Sequence, residues 1–171
     1  LGWLSVGSTK PLGEIKDYKG QKIRTLSSDL QMQTINALGA SATQINYGEC
    51  YTALQQGTVD GLLTSTGLFV SDKFMEVIKE LAVTKPTALL HVPIVNASWY
   101  DALPEDLKVV YNECIEDYLA AVRQYEADFD ADALKAIADS GVKVTEYTDA
   151  QLEEFKAATA TVYDKYADIA G

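Results

Sequence analysis

The stretch Tyr51-Thr52-Ala53-Leu54-Gln55-Gln56-Gly57-Thr58-Val59-Asp60-Gly61, about thirty residues after Lys19-Gly20-Gln21-Lys22-Ile23-Arg24, decides the fold. It reads as a helix end, a tight turn and a strand start. Gly57 stands where a helix C-terminus favours a left-handed residue. Asp60-Gly61 makes a second turn. The earlier segment carries a short strand, Lys22 to Leu26, with Arg24 on it. Arginine is a fixed cation with a planar fork of donors, so near a strand-to-helix turn it is a candidate clamp for a carboxylate.

Working outward, residues 1–9 alternate weakly and predict a strand stopped by Pro11 and Gly13. A second strand is expected at 21–26. Ser28-Asp29-Leu30-Gln31 is a capping box, so a helix runs from there to Gly39. The pattern then predicts a strand at 42–46, a helix at 48–56, a strand at 59–65, a helix at 67–78 and a strand at 80–84 before Pro86. Alternating strands and helices mark an α/β unit. Residues 87–96, with Leu89, Leu90, Val92, Ile94 and Val95, read as a buried strand.

Pro104, Glu105 and Asp106 suit the first turn of a helix. Leu107, Tyr111, Cys114, Tyr118, Val122, Tyr125 and Phe129 then recur every three or four residues, and the pattern continues through Leu134 and Ile137 to Gly141. Such a helix is about 50 Å long, so it bends or bridges two bodies. A strand follows at 142–147. Thr148-x-x-Gln151 caps a last helix, with Leu152, Phe155, Val162, Tyr163 and Tyr166 expected inward.

The 171 residues suffice for one domain with a sizeable core, and 47% hydrophobic content is ordinary for a globular chain. A formal charge of −11 argues against nucleic-acid phosphate or an anionic membrane as partner. An acidic protein that binds an anion needs a local positive focus, which Arg24 supplies; acidity also commonly serves solubility. No apolar run reaches the length of a membrane span. Cys50 and Cys114 lie on predicted apolar helix faces, so two buried free thiols are expected rather than one bridge.

The two segments together resemble the extracytoplasmic solute-binding proteins of tripartite ATP-independent periplasmic (TRAP) transporters, of the C4-dicarboxylate- and sialic-acid-binding type. The resemblance extends to Asp17-Tyr18-Lys19-Gly20, to Leu38-Gly39-Ala40 followed by Glu49 and Tyr51, to Asn96–Pro104 and to Ser140–Val144. It implies the second lobe of a two-lobed α/β protein with a long connecting helix, and the family's first lobe would precede Leu1. Residues 1–88 and 130–171 would form ligand-binding lobe 2, and 89–129 a strand and long helix belonging to lobe 1. The implied role is periplasmic capture of an organic acid for delivery to membrane permease subunits, by hinge closure and with no cofactor.

By the same resemblance Arg24 grips the ligand carboxylate; read alone, a strand arginine is most often a surface or salt-bridge residue. Tyr47 stands where the family places an aromatic against the ligand, or is a core tyrosine with its hydroxyl at the surface. Thr64, in a slot that holds asparagine in sialic-acid binders, donates one hydrogen bond or is an ordinary strand threonine. Trp3 is near the site, although a core tryptophan is the default for both Trp3 and Trp99. Leu4 occupies the place of a second arginine. Leu4 and Thr64 together imply a smaller or more apolar mono- or dicarboxylate than a nine-carbon sugar acid.

Glu49, near a helix start, reads as structural. His91, the only histidine, lies in the expected buried strand and reads as a satisfied core or interface histidine rather than a catalytic base. Catalysis and metal binding find no motif: there is no Gly-x-Ser-x-Gly elbow, no phosphate loop and no His/Cys ligand set. The rival readings are a sensory or orphan binding module on the same fold, and a carboxylate-dependent hydrolase. If one lobe is lacking, the stripe Leu107, Tyr111, Cys114 and Tyr118 stays uncovered, so self-association and weak ligand affinity of this chain are expected.

Overall fold

The computed structural model describes residues 2–86, 88–89 and 91–170. Seven strands form a single mixed sheet: β1 (Gly2–Ser8), β2 (Lys22–Thr25), β3 (Ser41–Gln44), β4 (Gly61–Ser65), β5 (Glu80–Val83), β6 (Ala88–Leu89) and β7 (Lys143–Glu146). Their order is β3-β2-β4-β1-β5-β7, with β6 paired to β1. β2 runs parallel to both β3 and β4, while β1 is antiparallel to β4 and β5.

Helices cover both faces, as a sheet apolar on both sides requires. On one face α1 (Asp29–Ala37) and α6 (Asp149–Ala170) close a core of Leu4, Val6, Ile23, Ile35, Leu38, Leu63, Tyr147 and Phe155. On the other, α2 (Cys50–Gln55), α3 (Leu68–Ser71) and the end of α5 (Glu105–Asp139) close a core of Leu54, Val59, Leu62, Phe69, Phe74, Leu81 and Ile137. A short helix α4 (Ala97–Asp101) precedes α5. Strand alternation divides neighbours between the cores: Leu62 and Leu63 face opposite sides, as do Ile23 and Arg24.

The predicted turns form for the reasons given. Gly57 has φ +71°, and Thr58 N–H closes back on Ala53 at 2.9 Å. Asp60 then ties three strand ends together. Its carboxylate accepts Lys22 N–H at 2.8 Å and pairs with Lys10 at 2.8 Å, while its carbonyl accepts Thr9 N–H and the Ser8 hydroxyl. Burial raises the Asp60 carboxyl pKa, but the Lys10 and Lys22 bonds outweigh it and the net direction is down. The box at Thr148 closes, with Thr148 N–H on Gln151 Oε1 at 3.0 Å and Gln151 N–H on Thr148 Oγ1 at 3.4 Å. At Ser28 only half of it forms, Gln31 N–H reaching Ser28 Oγ at 3.5 Å while Gln31 Oε1 has no partner and Ser28 N–H turns to the Leu26 carbonyl. At the far side of the sheet, Glu80 on β5 is 5% exposed. Its carboxylate accepts from Lys143 Nζ at 2.9 Å and from Thr145 Oγ1 at 2.5 Å, so β5 and β7 are tied there.

Several expectations are corrected. Residues 87–96 are not one buried strand. Only Ala88–Leu89 pair, with Trp3 and Gly2, while 91–96 have no regular structure and leave Val92 and Ile94 exposed; Thr87 and Leu90 lie outside the described residues. Pro93 interrupts the run and withholds a ladder donor. His91 is accordingly exposed, not a core residue. The helix expected at 67–78 is one turn of α3 and a 3-10 turn at Phe74–Glu76, parted by Lys73 at φ +60°. That break lets Phe69 and Phe74 pack edge to face in one core, with ring centroids 6.2 Å apart. Both cysteines are free, but only Cys50 is buried; Cys114 is exposed. Tyr163 points outward at 77% exposure, because it sits about 100° around the helix from buried Val162.

The long helix is continuous over 35 residues. Its last turns are buried at Ala133 and Ile137, whereas Leu107, Val109, Val110, Tyr118 and Tyr125 are exposed. Tyr111 stacks edge to face with Trp99 and Tyr100 of α4. No described helix is long and apolar enough to cross a membrane.

Candidate functional site

Arg24 points to the α2/α3 face because its β2 neighbour Ile23 points to the other. It is 3% exposed. Nε donates to the Ile45 carbonyl at 3.0 Å, just beyond β3. Nη1 is buried without a hydrogen-bond partner, and no described carboxylate forms an ion pair with the guanidinium. A buried, unpaired cation is costly, and its demand is for an anion.

Tyr47 opens a 3-10 turn, Tyr47–Glu49, that leads into α2. The Arg24 guanidinium carbon lies 5.4 Å from the Tyr47 ring centroid. The ring meets Phe74 edge-on at 5.8 Å, and the hydroxyl donates to Asp72 Oδ2. Burial, then the Asp72 carboxylate, pushes the Tyr47 hydroxyl pKa well above the usual tyrosine value, with Thr64 opposing. Cys50 lies behind the pair; burial raises its thiol pKa and the Arg24 charge partly offsets that.

Thr64, 6% exposed, stands on β4 opposite Ser5 of β1. Both share the Arg24 face, by the pairing of Leu62 with Arg24 and with Gly7. Ser5 Oγ and Thr66 Oγ1 are 2.8 Å apart. Arg24, Tyr47 and Thr64 are therefore brought together where the parallel strands β2 and β4 end, which is where open α/β sheets hold ligands. Trp3 shares the face but stands apart from that cluster, 47% exposed at the end of β1 that pairs with β6. Leu4 points away into the opposite core.

Sequence reasoning missed the Ile45 carbonyl, the Ser5 and Thr66 hydroxyls, and Asp72. Only Asp72 left a trace: Asp72 and Glu76 repeat the four-residue spacing of Tyr47 and Tyr51. A separate, mainly apolar cavity of about 250 Å³ lies between the strand ends and α5, lined by Gly2, Ser65, Gly67, Leu119, Arg123 and Phe129. Gly67 is required there, since an added Cβ would fall 2.1 Å from the Phe129 ring. Asp130 of α5 has its Oδ1 buried without a hydrogen-bond partner, and burial holds its carboxyl pKa above the ordinary value, with the nearby Gly67 and Trp3 N–H groups opposing. No group of three or more metal-ligating side chains occurs among the described residues.

The fold is a mixed α/β sheet flanked by helices, with a buried arginine whose Nη1 has no partner at its strand ends. The chain belongs to the bacterial extracellular solute-binding protein family 7 (DctP), whose family model matches residues 1–169. It is 30% identical over 176 residues to the C4-dicarboxylate-binding periplasmic protein DctP of Rhodobacter capsulatus, covering 99% of this chain and 51% of that one. It is 31% identical over 163 residues to a solute-binding protein of Sulfitobacter sp. (strain NAS-14.1), covering 94% and 48%. A TRAP periplasmic solute-binding protein from Desulfovibrio salexigens, crystallised with orotic acid, superposes with a TM-score of 0.80 at 29% identity, covering 95% of this chain and 54% of the other. The chain thus spans about half the length of the curated relatives it matches.

Proposed function

We propose that the protein is the periplasmic solute-binding component of a TRAP transporter. It captures a small organic acid and delivers it to membrane permease subunits, without catalysing a reaction. The observation that carries this reading is the buried Arg24 guanidinium, whose Nη1 has no partner. A ligand carboxylate would supply the missing anion and take the fork bidentately. Tyr47 would wall the carboxylate, Thr64 would donate a hydrogen bond, and Trp3 would close over the apolar part of the ligand. Family membership supports the transport role.

In this reading residues 1–88 and 130–171 form the ligand-binding lobe, and 89–129 belong to the opposite lobe. The burial contrast along α5 supports the division: Ala133 and Ile137 are buried, and Leu107 and Tyr118 are exposed. Closure of two lobes over the acid would follow from contacts available only in the closed state.

Calorimetric titration of the intact natural protein with succinate, orotate and N-acetylneuraminate tests the proposal. Saturable binding of succinate or orotate in preference to the nine-carbon sugar acid is the expected result. Binding of none of the three, or of N-acetylneuraminate alone, would overturn it. The apolar face of α5 leads us to expect the isolated 171-residue chain to self-associate. Light scattering that finds only monomer across the micromolar range would remove that part of the reading.

A further inference from the structure

Tyr47 and Tyr51 are four residues apart on the turn and helix around α2, so they project from one side. Asp72 and Glu76 are four apart on the segment after α3. The two pairs meet as two rungs: the Tyr47 hydroxyl donates to Asp72 Oδ2, and the Tyr51 hydroxyl to Glu76 Oε2 at 3.1 Å. Only the first rung touches the site, because only Tyr47 covers the Arg24 guanidinium.

We infer that Asp72 is a positioning residue for carboxylate binding: by accepting the Tyr47 hydroxyl it pins the ring over Arg24 and leaves the guanidinium a single orientation. The inference rests on the reading of Arg24 as the carboxylate clamp. Tyr47 is 38% exposed, so part of the residue borders water. Phe74 meets its edge and Asp72 holds its hydroxyl. Donation to a carboxylate also enriches the ring face, which strengthens its attraction for a cation. With Nε committed to Ile45 and one face covered by the ring, the Nη edge is what remains for a ligand. The left-handed Lys73 lets Asp72 and Phe74 reach the same ring from consecutive turns.

The test uses the intact natural protein with succinate and orotate as probes, in the variants Asp72→Ala, Tyr47→Phe, both together, and Glu76→Gln as control. Loss of one hydrogen bond to a charged acceptor corresponds to about ten- to a hundredfold weaker binding for either single variant. The double variant is expected to bind within about twofold of each single one, since the two act through one contact. Glu76→Gln should match wild type. The nitrogen-15 resonance of Arg24 Nε–H should shift in Asp72→Ala and not in Glu76→Gln, a change that a merely structural loss would not confine to one rung. Asp72→Ala binding at wild-type strength, or effects of Asp72→Ala and Tyr47→Phe that multiply, would overturn the inference. If wild type binds neither acid, a shifted Arg24 resonance in Asp72→Ala would overturn the carboxylate reading alone, and an unshifted one would overturn both.

Discussion

Arg24→Ala is expected to weaken carboxylate binding by about 2–5 kcal/mol, a factor of about 30 to 5,000 in affinity. The guanidinium is buried, its Nε is already used by Ile45, and Nη1 waits unpaired. An anion arriving there meets a cation screened from water, so the charge-assisted bonds are strong. Alanine removes both the charge and the fork. Arg24→Lys keeps the charge but not the planar fork, and lysine is more strongly hydrated, so it should recover little of the loss. Titration of the three proteins with succinate and orotate measures this directly. Near-equal affinities across the three would rule out Arg24 as the clamp. A thermal melt without ligand gives the companion result: removing an unpaired buried cation should leave the empty protein as stable as wild type, or more so.

Glu80 carries the second large effect, on stability. Its carboxylate is nearly closed off from water and accepts from Thr145 and Lys143. Glu80→Ala would leave the Thr145 hydroxyl without its acceptor and remove the Lys143 pair, at a cost of about 2–4 kcal/mol. Lys143 is exposed and would turn to water, which keeps the cost below that of a fully enclosed pair. For a chain of this size the melting temperature should fall by roughly 5–12 °C.

The pH dependence has a definite sign. Burial raises the Glu80 carboxyl pKa, but the bonds from Thr145 and Lys143 lead the opposing contributions, and the net direction is down from the ordinary glutamate value. The contribution is therefore complete above the unfolded value of about 4.3 and is lost as pH falls through the lower folded value. Wild type and Glu80→Gln should differ at neutral pH and converge in acid. Urea denaturation at neutral pH and again in acid compares them, and a stability gap of the same size under both conditions would refute the assignment.

The sheet and its turns could be read from the sequence where the signals are local. Gly57 ends its helix because the next residues need a left-handed step, and the capping boxes at Ser28 and Thr148 are four-residue patterns. The period of the apolar residues from Leu107 to Ile137 is that of one helix, and one helix forms. What periodicity cannot reveal is which part of an apolar stripe is covered. Cys114 and Tyr118 lie on the same stripe as Ile137, yet only Ile137 is buried. The run 87–96 failed for a related reason. Its composition suits a buried strand, but burial needs a neighbour with a matching edge, and Pro93 breaks the ladder.

At the site, Arg24 stands out in the sequence only through the family resemblance, since a strand arginine read alone is most often a surface or salt-bridge residue. Its pairing with Tyr47 depends on β2 lying beside β3, which carries Ile45 and Tyr47 past the guanidinium. Nothing in the spacing of 24 and 47 encodes that. Asp72 is further removed still, since it reaches Tyr47 only because Lys73 turns the chain.

Helix α5 is held by packing at its C-terminal turns and projects from there as a stiff rod of 35 residues. A rod about 50 Å long acts as a lever. Were its anchored end to pivot by about 10°, the free end would sweep roughly 9 Å, nearly twice the spacing between adjacent strands. The anchor lies against β7 and α3, close to the strand ends that carry Arg24 and Thr64. A rotation too small to disturb packing around the ligand would thus arrive at the far end as a displacement large enough for another surface to register.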